Sequence, residues 1–246
     1  MQKYAIVTGV ASGIGAYIAE EFLKKGIKVF GIDIEKTKNT DINFYKCDIS
    51  NEKMVIETFA KIEKETDHID YLINVAGIFC YQKRDYIKNL EKEEWDRVIN
   101  TNLTGTFLIT RAAIPLLEKS NNGNIINLSS EQVEYPQVRS VPYVITKAAV
   151  EMFSKVLSLE LLENNIRVNT IALASVKTNF LKKYKKDPKV FEEMMEKTDK
   201  EMPFGIILPE DVYNLVIYLI DEKNKITGQT ILIDSGILAK NKIKRW

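Results

Sequence analysis

The chain has 246 residues, and 35 Lys plus Arg nearly balance 34 Asp plus Glu, leaving a formal charge of +1. That length suits one large α/β domain able to bury its own core, and the near-neutral charge offers no electrostatic footprint to nucleic acid or an anionic membrane. Cys47 and Cys80 lie far apart and outside any metal-ligand spacing, and no apolar run is long enough for a signal peptide or a membrane span. A soluble cytoplasmic protein with reduced thiols and no resident metal is expected.

Short apolar runs alternate with longer amphipathic segments, the pattern of a parallel sheet covered by helices on both faces. The first predicted strand, Tyr4–Thr8, runs into Thr8-Gly9-Val10-Ala11-Ser12-Gly13-Ile14-Gly15 and then a helix over Ile14–Lys25 that stops at Gly26. Glycines between a strand and a helix let the backbone turn sharply and approach a pyrophosphate, which the helix N-terminus attracts with its unpaired N–H groups. Gly9, Ser12, Gly13, Ile14 and Gly15 are therefore candidate cofactor residues. The second strand, Lys28–Asp33, ends on a carboxylate placed to hold a ribose hydroxyl and repel a 2′-phosphate. No cation interrupts Val10-Ala11-Ser12, so NAD is expected over NADP, with Lys36 the residue most able to reverse that preference.

Residues 34–40 are polar and too few for a covering helix, which should leave one sheet face open there. A strand follows at Asn43–Cys47. Ser50 is the expected N-cap of a helix over Asn51–Glu65, and lone His68 reads as a surface residue without a role. Further strands are predicted at Tyr71–Asn74, Asn124–Leu128, Arg167–Ala172 and Thr230–Ile233, making about seven in all. The longest helices are Trp95–Glu118 and Pro142–Glu163, and Pro209 opens a helix over Glu210–Ile220. A charged helical insert, about 178–205, interrupts the alternation, and Lys240–Trp246 is a basic tail, solvated or packed on a neighbouring subunit. No repeat or linker divides the chain, so residues 1–246 read as a single domain.

Tyr143 and Lys147 are four residues apart, so a helix puts them on one face. A phenol with an ordinary pKa of about 10 is a poor base at neutral pH, and a nearby ammonium favours the phenolate. Reaching neutrality requires about 4 kcal/mol of such help, at roughly 1.4 kcal/mol per unit. The glycine turn, Asn74-Val75-Ala76-Gly77, Asn102, Ser130 and Tyr143-Val144-Ile145-Thr146-Lys147 together resemble the short-chain dehydrogenase/reductase family, in its order and over nearly the whole chain.

That resemblance implies a Rossmann-type, doubly wound fold and an NAD(P)-dependent oxidoreductase that moves a hydride between a nicotinamide and a secondary alcohol or ketone. It assigns Tyr143 the proton of the reacting hydroxyl and Ser130 a hydrogen bond to the same oxygen. Lys147 is implied to act on Tyr143 and on the nicotinamide ribose, and Asn102 to bend its helix and hold a water linking Lys147 to solvent. Asp48 and Ile49 are placed near the adenine, Asn74, Ala76 and Gly77 along the cofactor, and Thr178 at the carboxamide. Leu173-Ala174 departs from the family's Pro-Gly, Val75 from its second asparagine, and Ile206 stands where a basic residue is usual.

The substrate pocket is expected from Glu131–Pro136, Ile78–Tyr81 and Asn179–Met202, a mixture suited to a polar ring or polyol. Met194, Met195 and Met202 fit either a mobile lid or simple packing, and the Lys182–Lys186 cluster either an anionic substrate or a solvated helix face. The short segment after Asp33 resembles the dihydrodihydroxybenzoate-type diol dehydrogenases; an oxoacyl-carrier-protein reductase and a catalytically idle NAD sensor are the alternatives. The two long helices resemble those through which family members form homodimers and homotetramers.

Overall fold

Seven apolar runs extend as strands in the computed structural model, which describes residues 2–80, 85–180 and 187–243. They are β1 (Tyr4–Thr8), β2 (Lys28–Asp33), β3 (Asn43–Lys46), β4 (Tyr71–Asn74), β5 (Gly123–Ser130), β6 (Ile166–Leu173) and β7 (Thr230–Ile233). All pair in parallel, in the order β3-β2-β1-β4-β5-β6-β7. Helices cover both faces, which is why β4 and β5 are buried at every residue, on both faces rather than on alternating ones. The fold is the doubly wound, Rossmann-like one. The order reverses between β1 and β4, so a crevice opens at their carboxyl ends.

One core lies between the sheet and two helices, α1 (Gly13–Lys24) and α7 (Pro209–Ile220), where Ile18, Phe22, Val212 and Val216 meet Val7 and Ile73. The other lies beneath α2 (Glu52–Ile62), α4 (Gly105–Leu117) and α5 (Val141–Glu160), through Phe59, Ile109, Leu116 and Leu157. Each fully buried side chain of this size contributes roughly 2 kcal/mol. Helix α1 ends where Gly26 takes a φ of +74°; Gly26 N–H then donates to the Leu23 carbonyl at 2.9 Å and Ile27 N–H to that of Phe22 at 3.0 Å. This left-handed stop is the one glycine permits most readily. No helix among the described residues is long and apolar enough to cross a membrane.

Several local expectations are corrected. The N-cap of α2 is Asn51, whose Oδ1 accepts from Met54 N–H at 3.1 Å, because Ser50 is already held by Asp48 through its amide (2.9 Å) and hydroxyl (2.7 Å). The helix expected over Trp95–Glu118 is α3 (Lys92–Ile99), a π turn at Asn100–Thr104, and α4. The face beside β2 is not left open, since Ile42 and Val10 pack where a side chain at Gly31 would stand. His68 is only 13% exposed in its side chain; Nδ1 lies 2.8 Å from Asp67 and the ring sits edge-on to Tyr4. The insert forms α6 (Pro188–Glu201), and the start of the basic tail lies in α8 (Ile237–Ile243), where Lys240 Nζ donates to the Glu201 carbonyl at 2.6 Å. Tyr81, the Lys182–Lys186 cluster and residues 244–246 lie outside the described residues.

Candidate active site

At the carboxyl edge of the sheet a cavity of about 930 Å³ runs from the glycine turn, past β4 and β5, to α6. Gly9, Ser12, Gly13 and Ile14 line one end. Ser12 precedes α1 without a side-chain capping bond, and the first turn carries no acidic residue. The positive end of α1 therefore faces the cavity without a side-chain cap or a first-turn carboxylate to meet it. Gly15 stands behind the wall and makes the tight path possible: a Cβ there would lie 2.2 Å from the Gly9 carbonyl oxygen. Thr8 Oγ1 accepts from both Val75 and Ala76 N–H at 3.0 Å, fastening the turn to the end of β4. An uncapped helix end beside glycines that admit a close backbone fits a dinucleotide pyrophosphate.

Asp33, Asp48 and Ile49 line the cavity together with Glu35. Asp33 Oδ2 accepts from Ala11 N–H at 3.0 Å and Oδ1 from Glu35 N–H at 2.9 Å, so the carboxylate also braces the glycine turn. Each oxygen retains a further acceptor position. Lys36 is exposed and does not line the cavity.

Halfway along, the first turns of α5 present Tyr143 and Lys147 to the cavity, and Ser130 closes β5 beside them. Lys147 Nζ donates to the Leu128 carbonyl at 2.9 Å and lies 5.7 Å from the centre of the Tyr143 ring. Burial alone pulls its ammonium down to about 8. Gly77 keeps this point open, for a Cβ there would stand 3.8 Å from Lys147 Nζ and 3.3 Å from Asn102 Oδ1. Tyr143 is 9% exposed and packs against Phe79 with ring centres 4.5 Å apart. Thr178 lines the cavity next to Gly13, and Leu173 and Ala174 carry the β6 end past it in regular register with Ile233.

Besides Gly15, two expected site residues lie behind the wall. Asn102 uses its side-chain amide on protein: Oδ1 accepts from Ile78 N–H at 2.8 Å, while Nδ2 donates to the Ile78 carbonyl at 2.9 Å and to Thr146 Oγ1 at 3.3 Å. The π turn brings it there, and its main-chain carbonyl accepts from Thr106 Oγ1 at 2.8 Å. Asn74 is likewise turned inward, donating to Asn127 Oδ1 at 2.8 Å and Thr110 Oγ1 at 3.1 Å.

Glu94 and Arg97 gave no sequence signal, whereas Glu131 and the insert's methionines were expected only as parts of the pocket loops. Glu94, 3% exposed, forms a two-pronged pair with Arg97 at 2.8 and 2.9 Å; Arg97 lines the cavity and also donates to the Phe79 carbonyl at 3.2 Å. Glu131 follows Ser130 and lines the cavity, accepting from Ser130 Oγ at 3.3 Å. Burial pushes its carboxyl up to about 7, the Ser130 bond opposing and Asp234 adding to the rise. Of the insert's methionines, Met194 and Met195 line the cavity, whereas Met202 belongs to the core under α7.

Fold and site together define an oxidoreductase that uses a nicotinamide dinucleotide. The short chain dehydrogenase family model matches residues 3–189. The 3-oxoacyl-acyl-carrier-protein reductase of Thermotoga maritima is 32% identical, across 96% of this chain and 98% of that protein. The NAD-dependent glycerol dehydrogenase of Listeria innocua is also 32% identical, across 97% and 94%. The ligand-free aldohexose dehydrogenase of Thermoplasma acidophilum superposes with a TM-score of 0.89 at 30% identity, across 97% and 94%. The chain belongs to the short-chain dehydrogenase family and is an NAD(P)-dependent oxidoreductase acting on CH–OH or carbonyl groups.

Proposed function

We propose that this enzyme prefers NAD, that Tyr143 is its acid–base residue, and that Ser130 and Lys147 complete the reacting centre. The observation that carries the reading is the placing of Tyr143 and Lys147 on one face of α5, in the same cavity as the uncapped end of α1. When bound, the nicotinamide accepts or gives the hydride. During alcohol oxidation Tyr143 takes the proton of the reacting hydroxyl, and Ser130 Oγ fixes that oxygen. In reduction Tyr143 returns the proton. Lys147, ionised below a pH of about 8, favours the phenolate and holds the nicotinamide ribose.

Asn102 is read as a positioning residue, since its amide clamps Ile78 and so the wall that passes Lys147. Gly9, Ser12, Gly13 and Ile14 receive the pyrophosphate, Ala76 and Gly77 flank the path, and Thr178 meets the carboxamide. Asp48 and Ile49 border the adenine. The NAD preference rests on Asp33 and Glu35, whose charges oppose a 2′-phosphate, and on the absence of Lys36 from the lining. The Listeria innocua relative is named as an NAD-dependent glycerol dehydrogenase, which agrees in cofactor.

The chain works as one domain in the cytoplasm, with α6 as a lid carrying Met194 and Met195, and assembles as a homodimer or homotetramer. Ile145, Met152, Val156 and Leu159 support the assembly: they share one face of α5 and are each at least 44% exposed.

The test is turnover of an alcohol and ketone panel followed by dihydronicotinamide absorbance, with Tyr143→Phe in parallel. The expected result is loss of turnover by about a hundredfold or more. Near-normal turnover in that variant removes the role assigned to Tyr143.

A further inference from the structure

Ser130 is followed by a carboxyl group that ordinary packing does not account for. Glu131 lies in the cavity wall, one hydrogen bond from the oxygen that holds the reacting hydroxyl, with 3.3 Å between Oε2 and Ser130 Oγ. Its surroundings are unfavourable to a charge. Among the described residues the only charged group that acts on it is Asp234, which is itself an anion. Asp234 is engaged elsewhere, accepting from Gly236 N–H and Leu238 N–H at 3.0 Å each. A half-buried, desolvated carboxyl without a cation destabilises a fold, and an amide or apolar residue would pack at less cost. Groups retained in a cleft under such conditions are candidates for contact with a ligand.

A second polar group stands beside it. Gln132 is 8% exposed and also lines the cavity, and its Oε1 is buried without a hydrogen-bond partner. Buried acceptors are rarely left in that state by packing alone. Ser130, Glu131 and Gln132 thus form a continuous polar stretch of the wall, in a cavity that Met194 and Met195 of the insert also line.

We infer that Glu131 is a specificity-determining residue that hydrogen-bonds a second hydroxyl, on the carbon next to the one oxidised, so that the enzyme favours vicinal diols of the polyol and sugar class over isolated secondary alcohols. The inference rests on Ser130 holding the reacting oxygen, as proposed above. The short step from Ser130 Oγ to Glu131 Oε2 is close to the spacing of neighbouring hydroxyls on a polyol. A diol binding here gives one oxygen to Ser130 and the other to Glu131. The serine hydroxyl, which donates to Glu131 in the ligand-free enzyme, is then free to donate to the substrate. Substrates lacking the second hydroxyl leave the carboxyl facing apolar matter, and that discrimination is the kind a buried polar group enforces most strongly.

The test pairs each diol with its analogue: cis-cyclohexane-1,2-diol with cyclohexanol, glycerol with propan-2-ol, and D-glucose with 2-deoxyglucose. In the wild type at least one pair shows a kcat/KM ratio in favour of the diol of about tenfold or more. In Glu131→Leu that ratio falls by about tenfold, and in Glu131→Gln, which keeps a hydrogen-bonding group, it falls less. A wild-type preference for none of the diols overturns the inference, as does a ratio that Glu131→Leu leaves in place. Should Glu131→Leu not fold, the Glu131→Gln ratio decides, and an unchanged ratio counts against the assignment. Loss of turnover with both members of a pair alike leaves the ratio where it was and so counts against Glu131, while the hydride-transfer reading stands or falls separately with Tyr143→Phe.

Discussion

Lys147 holds its ammonium 2.9 Å from the main-chain carbonyl of Leu128, at the end of a side chain that no carboxylate among the described residues ion-pairs. Burial lowers its pKa from 10.5 to about 8. Between those values the unfolded chain binds more protons than the folded one, so stability rises with pH across that window. Below about pH 8 the whole cost is present, on the order of 3 kcal/mol. Replacing Lys147→Met is expected to raise the melting temperature at pH 7, with the gain shrinking towards pH 10, while turnover falls by about a hundredfold or more. Thermal melts at the two pH values beside a rate assay check this; a variant less stable than wild type at pH 7 would contradict the buried-cation account.

Glu131 makes the mirror-image prediction. Its carboxyl is raised from 4.5 to about 7, so the folded chain holds the extra proton between those values and stability falls as pH rises through them. Above about pH 7 the cost is again on the order of 3 kcal/mol, and Glu131→Gln removes it. The variant should outlast the wild type in urea at pH 8 and match it at pH 4.5. Equal denaturation midpoints at both pH values would show that this carboxyl is not desolvated.

These two residues differ in how far they could be read from the chain. Lys147 was legible because its partner is four positions away on a helix, and local spacing carries that information. Strands β1, β2, β4 and β7 were legible to the residue for a similar reason, since each is a short β-favouring or apolar run between turn residues. Glu131 was named only as part of a pocket loop, because its raised pKa reflects burial in the folded chain and the charge of a residue distant in sequence, Asp234. The break in the helix after Ile99 was legible only through the resemblance, which implied a helix-bending Asn102; the apolar pattern alone read one continuous helix. A π turn adds one residue to a helical turn, and here it carries the Asn102 side chain to Ile78, from a different segment. Ser50 lost the cap of α2 to Asn51 because Asp48 had already taken its hydroxyl, a competition that residue preference cannot rank.

The glycine turn gives a steric prediction. At Gly15 a methyl group would sit 2.2 Å from the Gly9 carbonyl oxygen and 2.7 Å from its carbon, both backbone atoms with no freedom to rotate away. The turn must shift to admit it, and the amides at the start of α1 shift with it. Gly15→Ala is therefore expected to weaken NADH binding by about a hundredfold, roughly 3 kcal/mol, as read by fluorescence titration. Binding within about twofold of wild type would mean the pyrophosphate does not rely on this path.

Cofactor choice should move with a single charge. Asp33→Asn keeps one carbonyl oxygen for the Ala11 amide that the carboxylate holds at 3.0 Å, and removes the repulsion of a 2′-phosphate. The ratio of kcat/KM for NAD over NADP is expected to fall by about tenfold, or roughly 1.4 kcal/mol. Glu35 remains in the lining, so the preference should narrow without reversing outright. A wild-type preference for NADP, or an unchanged ratio in the variant, would refute the role given to Asp33.

The exposed face of α5 carries the last prediction. Leu159 is 69% exposed and Met152 58%, on a helix whose opposite side holds Tyr143 and Lys147 in the cavity wall. An apolar stripe this close to the reacting centre is stable in water when a second copy covers it, and the cover in turn stiffens the helix that aims the phenol. Met152→Glu combined with Leu159→Arg should lower the sedimentation coefficient towards that of one chain. Turnover should fall with it, because α5 then loses the support of its neighbour, whereas far-ultraviolet circular dichroism stays unchanged. A wild-type enzyme that sediments as a single chain at working concentration would remove the assembly from the proposal and leave the stripe to be explained otherwise.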